Sequence, residues 1–129
     1  MTVATSRHGS VLVVTMAREE KRNALNEAIT AGIDAAMNEI EDDPTLWCGI
    51  LTGGTRVFSA GADLAAGPGE PTERGGIVGL INRQRTKPLI AAVEGLALGP
   101  TSAAGPNTSR GRWVASSGGA KPLQDRWCH

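Results

Sequence analysis

The chain has no tyrosine and one phenylalanine, Phe58, against three tryptophans. Any core within residues 1–99 must therefore be aliphatic, built from Val, Leu, Ile, Met and Ala. Cysteine is as scarce. Cys48 and Cys128 lie far apart and form no disulfide framework, so a reducing cytoplasm is the expected setting. No apolar run approaches the ~20 residues that a membrane-spanning helix needs, so no membrane partner is expected. The polar stretch Met1–Ser10 lacks the apolar segment of a secretory signal. Neither sign of charge dominates. With 13 basic and 13 acidic residues there is no clustered basic excess, and a nucleic-acid partner is not expected. Histidines are two, His8 and the terminal His129, and neither belongs to a nucleophile–His–acid set. Cys128 beside His129 could bind a metal or oxidise, but a lone pair is weak evidence for either, and no metal site is expected.

What is present has the length of one domain, 129 residues. Such a chain buries ~60–70% of its unfolded surface. Val11-Leu12-Val13-Val14-Thr15-Met16 is apolar on both alternating faces, which fits a strand covered on both sides. Asn26 to Glu41 reads as an amphipathic helix capped by Asn26, with Glu27 where the helix dipole favours negative charge. Leu25, Ile29, Ile33, Met37 and Ile40 form its apolar stripe. Gly32 inside it costs about 1 kcal/mol relative to alanine. Asp42, Asp43 and Pro44 end it. Leu46 to Thr52 is a second strand, so strand, helix and strand suggest a parallel crossover. Cys48 within it reads as a buried small hydrophobe.

The next segments are less regular. Ala65 to Gly76, with Pro68, Pro71 and four glycines, reads as a mobile loop. Ile77 to Thr86 is a short helix candidate, stopped before Pro88. Leu89 to Val93 is a third strand. Gly95 and Gly99 flank Leu96-Ala97-Leu98 in the manner of a turn into a ligand-facing loop. From Pro100 the composition changes: residues 1–99 carry 9 basic and 12 acidic residues, residues 100–129 carry 4 and 1. The chain thus divides into a structured portion, 1–99, and a divergent tail, 100–129, expected to be irregular or disordered. No helix or strand is assigned in the tail.

The organising stretch is Phe58-Ser59-Ala60-Gly61-Ala62-Asp63-Leu64. It follows the apolar run Cys48–Thr52 and the turn Gly53-Gly54-Thr55. Ser59 to Ala62 have almost no side chain, so a ligand can approach the backbone closely. Amide N–H groups there could face a carbonyl oxygen that gains negative charge. Small residues also serve tight loop packing, and the heptapeptide alone does not decide between the two uses.

That heptapeptide has Lys21-Arg22-Asn23-Ala24-Leu25-Asn26 upstream and Lys87-Pro88-Leu89-Ile90-Ala91-Ala92-Val93-Glu94-Gly95-Leu96-Ala97-Leu98-Gly99 downstream. In this order and spacing the three motifs resemble the enoyl-CoA hydratase/isomerase (crotonase) family over about residues 9–99. The resemblance implies an α/β fold, the crotonase-like (ClpP/crotonase) spiral of ββα units, incomplete here. It implies acyl-CoA thioesters as substrates, with coenzyme A entering only as part of the substrate and no other cofactor. The implied reaction is hydration of 2-enoyl-CoA or double-bond isomerisation in fatty-acid metabolism.

By the same resemblance, the Ala62 amide is the first oxyanion-hole donor. Ala60, Gly61, Ala62, Asp63 and Leu64, with Arg22, Ala24 and Leu25, match regions that line the family's CoA site. Arg22 either meets a CoA phosphate or is a solvated surface charge. Asp63 reads as the cap of the following turn rather than as a catalytic group. The second donor belongs to a glycine-rich turn near Gly99, and here the donor position falls on Pro100, which has no N–H. The first acid/base glutamate of the hydratases falls near Ala103. The family forms homotrimers or hexamers, and its trimerisation region has no counterpart in residues 100–129. Val114-Ala115-Ser116-Ser117 faintly resembles a later strand of such proteins. Three expectations follow: an active enzyme of the class; a truncated or frameshifted member with at most residual CoA-thioester binding; or a module that joins relatives in mixed oligomers.

Overall fold

The structure, a computed structural model, describes residues 2–97 and 111–116. Strand β1 (Val3–His8) and strand β2 (Val11–Met16) form an antiparallel hairpin, with Val3 opposite Met16 and His8 opposite Val11. β2 lies where the sequence predicts a strand, whereas β1 has no sequence signal of its own. The polar run Thr5-Ser6-Arg7-His8 hides β1, because its side chains are exposed and only its backbone belongs to the sheet.

Helix α1 (Glu27–Asp42) carries the chain from β2 to strand β3 (Cys48–Thr52). β2 and β3 are parallel, as a strand–helix–strand crossover requires. Strand β4 (Val57–Ser59) and strand β5 (Leu89–Ala97) follow, and strand β6 (Gly111–Ser116) runs antiparallel to β5. The sheet order is β1-β2-β3-β5-β4, with β6 as a further partner of β5. The assignment of residues 100–129 without a strand thus meets β6, which includes Val114, Ala115 and Ser116. The remainder of that tail lies outside the described residues.

The core forms where α1 lies on the sheet. Asn26 caps the helix: its side-chain oxygen accepts from the Ile29 N–H at 3.0 Å. Ile29, Ile33, Met37 and Ile40 are buried, as the stripe predicts. They meet Leu12, Val14 and Met16 of β2, Leu51 of β3, and Ala91 and Val93 of β5 in one cluster. The other face of β2 is only half-buried among the described residues, which corrects the expectation of a strand covered on both sides. Gly32 has a packing reason that propensity alone does not show. A Cβ there would come within 2.6 Å of the Val3 side chain, so the glycine lets α1 and β1 approach.

Further expectations are corrected. Residues 65–76 are pinned to α1 rather than free of it. The Thr30 hydroxyl donates to the Pro68 carbonyl at 2.5 Å, the Thr72 hydroxyl to Asp34 at 2.7 Å, and Arg74 forks onto Asp42 at 2.8 and 2.9 Å. No helix spans 77–86; one 3-10 turn forms at Ile77–Gly79. Val78 sits at φ +60° between Gly76 and Gly79, also at positive φ, and that backbone cannot propagate a right-handed helix. Gly95 lies inside β5 rather than in a turn, because β5 continues to Ala97 beside β4. β3 also begins at Cys48, two residues after the expected start at Leu46, and Cys48 is half-buried and free rather than buried.

Buried Arg83 completes the strap over α1. Its guanidinium bonds the Asp34 carboxylate at 2.5 Å, the Asn38 side chain at 2.6 Å and the Gly79 carbonyl at 3.1 Å. Burial pulls its pKa down, and Asp34 opposes that pull. Lys87 Nζ donates to the Ile40 and Asp43 carbonyls at 2.7 and 2.6 Å, satisfying acceptors that the helix end leaves open.

Candidate functional site

Two segments meet at the mouth of the sheet: the loop from Arg18 to Leu25, and the chain from Val57 to Leu64. Asn23 holds them together. It is fully buried at φ +53°, a left-handed conformation that asparagine tolerates better than most residues. Its side-chain amide donates towards the carbonyls of Gly53 at 3.0 Å, Val57 at 3.3 Å and Phe58 at 3.1 Å. Its side-chain oxygen accepts from the Arg18 N–H at 2.8 Å. The buried Ser59 hydroxyl donates to the Asn23 carbonyl at 2.7 Å and accepts from the Gly61 N–H at 3.1 Å.

The segments then run side by side as a short parallel bridge between Leu25 and Ala62. The Leu25 N–H donates to the Gly61 carbonyl at 2.7 Å, and the Asp63 N–H donates to the Leu25 carbonyl at 2.8 Å. The Ala60 N–H donates to the Arg22 carbonyl at 2.9 Å. Ala62 lies between these bonds, is half-buried, and its N–H meets no acceptor among the described residues.

Asp63 follows directly. One carboxylate oxygen accepts from the Ala65 and Ala66 N–H groups at 2.9 and 3.0 Å, and the other pairs with Arg18 at 2.8 Å. The Ala66 amide, the Arg18 guanidinium and the Ala65 amide together hold the Asp63 pKa down at about 2. This is the capping role expected of Asp63. Leu64 beyond it is fully exposed.

The structure therefore gathers Arg22, Ala24, Leu25, Ala60, Gly61, Ala62, Asp63 and Leu64 in one place. Arg22 is exposed at φ +54° and makes no ion pair among the described residues. The Ala24 carbonyl accepts from Arg18 at 2.9 Å. Gly99, Pro100 and Ala103 lie outside the described residues. Ala97, on β5, pairs with Ser59. His8 stands apart on β1, exposed and bonded to the Ser6 hydroxyl at 2.9 Å. No group of three or more His, Cys, Asp or Glu among the described residues could hold a metal ion. No helix among them is long and apolar enough to cross a membrane.

Sequence reasoning missed Arg18, Asn23 and Ser59 as the residues that position this backbone. Asn23 had a weak signal, since asparagine is among the residues that tolerate a left-handed turn. Arg18 had none, because its partner Asp63 is 45 residues away.

The chain is similar to known proteins in sequence and in fold. The family described as Enoyl-CoA hydratase/isomerase matches residues 6–102. An enoyl-CoA hydratase of Mycobacterium tuberculosis, EchA19, is 40% identical over 102 residues, covering 71% of this chain and 38% of that protein. A crystal structure of an enoyl-CoA hydratase from Mycobacterium tuberculosis superposes with a TM-score of 0.66 at 41% identity, covering 73% of this chain and 38% of the other. One of a carnitinyl-CoA hydratase from Mycobacterium avium gives 0.73 at 33% identity, covering 81% and 44%. The chain thus spans about two fifths of the length of these proteins.

Proposed function

This chain belongs to the enoyl-CoA hydratase/isomerase family, and from that premise we propose that it binds acyl-CoA thioesters with the thioester oxygen on the Ala62 N–H. Its fold is a part of the crotonase-like α/β fold. One observation supports the binding reading most: the Ala62 N–H has no acceptor among the described residues, while the Gly61 carbonyl of its own peptide group and the Asp63 N–H that follows are both bonded to Leu25. A donor held this way needs no reorganisation when charge develops on a bound oxygen.

The chemistry asks for such a donor. Adding water across a conjugated thioester, or removing a proton α to the carbonyl, puts negative charge on the carbonyl oxygen. The Ala62 N–H would stabilise that enolate. Arg22, exposed and without an ion partner among the described residues, would meet a CoA phosphate. The reaction class is hydration of 2-enoyl-CoA or double-bond isomerisation, with no cofactor beyond the coenzyme A of the substrate and with a cytoplasmic setting.

A second reading is binding without efficient turnover. Pro100 stands where the resemblance puts the second oxyanion donor, and it has no N–H to give. Loss of one such donor costs ~10²–10³ in rate. Ala103 stands where the hydratases carry a glutamate, so it offers no carboxylate to move a proton. Joining relatives in a mixed oligomer is compatible with this reading.

Calorimetric titration of the 129-residue chain with butyryl-CoA and with free CoA tests the proposal. Tighter binding of the thioester supports it; equal binding of the two, or none, rejects it. Crotonyl-CoA turnover then separates the readings: an efficient rate favours the enzyme, and an absent or very slow one favours binding alone.

A further inference from the structure

We propose that Arg18 is the positioning residue of this site: its guanidinium clamps both sides of the Leu25–Ala62 bridge and so fixes the direction of the Ala62 N–H. The geometry is specific. Arg18 Nη1 lies 2.9 Å from the Ala24 carbonyl oxygen and 2.8 Å from Asp63 Oδ2. Ala24 precedes Leu25 and Asp63 follows Ala62. One nitrogen therefore ties the two segments together beside the backbone bonds that enclose Ala62.

Both ends of the clamp are anchored. The Arg18 N–H donates to Asn23 Oδ1 at 2.8 Å, and the Arg18 carbonyl accepts from the Asn23 N–H at 2.8 Å. Asp63 cannot swing away from Arg18 without disturbing the Ala65 and Ala66 amides on its other oxygen. An exposed ion pair would contribute little to such positioning. This one is not exposed: the two side chains are 15% and 13% accessible, so water competes weakly and the charge-assisted bond keeps more of its strength. The low Asp63 pKa keeps the carboxylate charged at any pH near neutral.

The inference rests on the thioester reading for its consequence, but part of its test does not. The full chain is compared with Arg18→Met, Arg18→Lys and Asp63→Asn. In Arg18→Met, hydrogen exchange at the Leu25 and Asp63 amides should quicken by about tenfold, as loss of one charge-assisted hydrogen bond implies. Exchange at Ile33 in α1 should not change. The preference for butyryl-CoA over free CoA should fall by about tenfold, with affinity for free CoA unchanged. A single nitrogen makes both contacts, so Arg18→Lys should restore most of the preference.

Wild-type exchange at Leu25 and Asp63 in a folded Arg18→Met chain would overturn the inference. So would exchange that rises equally throughout α1, which would mean general loosening. If the wild-type chain shows no preference for the thioester, the binding reading fails while the exchange data still decide the clamp. If Arg18→Met does not fold, Asp63→Asn decides. It keeps an oxygen for the Ala65 and Ala66 amides but loses the charge facing Arg18, and unaltered exchange at Leu25 there overturns the clamp.

Discussion

The two sides of this molecule are held by different forces. Under α1 the sheet is sealed by aliphatic side chains that need only the right volume and the right face. Around Ala62, beside the buried Leu25, Val57 and Phe58, geometry comes from the directional bonds of Arg18, Asn23, Ser59 and Asp63. The first arrangement is non-directional and tolerates small shifts. The second is directional, and each bond sets an angle. A site that must aim a backbone N–H needs the second kind, and the cost is a set of buried polar groups that must all stay paired.

The contrast can be broken from the apolar side first. Ile33→Ala removes a buried side chain from the middle of α1. It should cost ~2–5 kcal/mol, read as a lower denaturant midpoint, while the Ala62 amide resonance of the remaining folded chain keeps its position. From the polar side, Asn23→Ala strips donors from the carbonyls of Gly53, Val57 and Phe58 and puts alanine at positive φ. A loss of ~1–3 kcal/mol is expected, with the Ala62 resonance displaced. If both substitutions move that resonance alike, the two sides are not mechanically distinct.

Smaller effects sharpen the same division. Asn26→Ala deletes the cap of α1 and should cost ~1 kcal/mol in thermal or denaturant melts, without altering exchange at Asp63. Acid should act on Asp63 at the polar side and on Asp43 at the end of α1. The Asp63 pKa is lowered from 3.8 to about 2, so its contribution is complete above pH 4 and is lost as pH falls from 4 towards 2. Asp43 is lowered to about 2 by the Thr45 hydroxyl and amide and by Arg7, and weakens over the same range. Asp63→Asn should flatten the stability profile between pH 4 and 2 without abolishing the slope that Asp43 supplies. An unaltered profile would show that Asp63 contributes nothing there.

This division also explains what could be read in the sequence. The stripe Ile29, Ile33, Met37 and Ile40 declares a helix and its buried face, because burial of apolar groups leaves a period, and Val11 to Met16 declares a strand by its short, β-branched apolar run. β1 leaves no period, since only its backbone pairs and its outer residues are polar. The strap from Thr72 to Lys87 reads as loop and helix because its partners, Asp34, Asn38 and Asp42 on α1 and Asp43 just after it, are far away in sequence. At the site, the resemblance picks out Ala62 and its neighbours. The residues that hold them, Arg18 and Asn23, act through bonds across 30 to 45 positions that no local pattern announces.

The most direct test of the central claim is the Ala62 amide itself. A ¹H–¹⁵N spectrum of the labelled chain would be recorded during separate titrations with butyryl-CoA and free CoA. A free donor aimed at the thioester oxygen predicts a downfield proton shift at Ala62 with butyryl-CoA and a much smaller one with CoA, while Leu25 and Asp63, already bonded, move less. An Ala62 resonance that ignores the thioester, or that responds equally to both ligands, would contradict it.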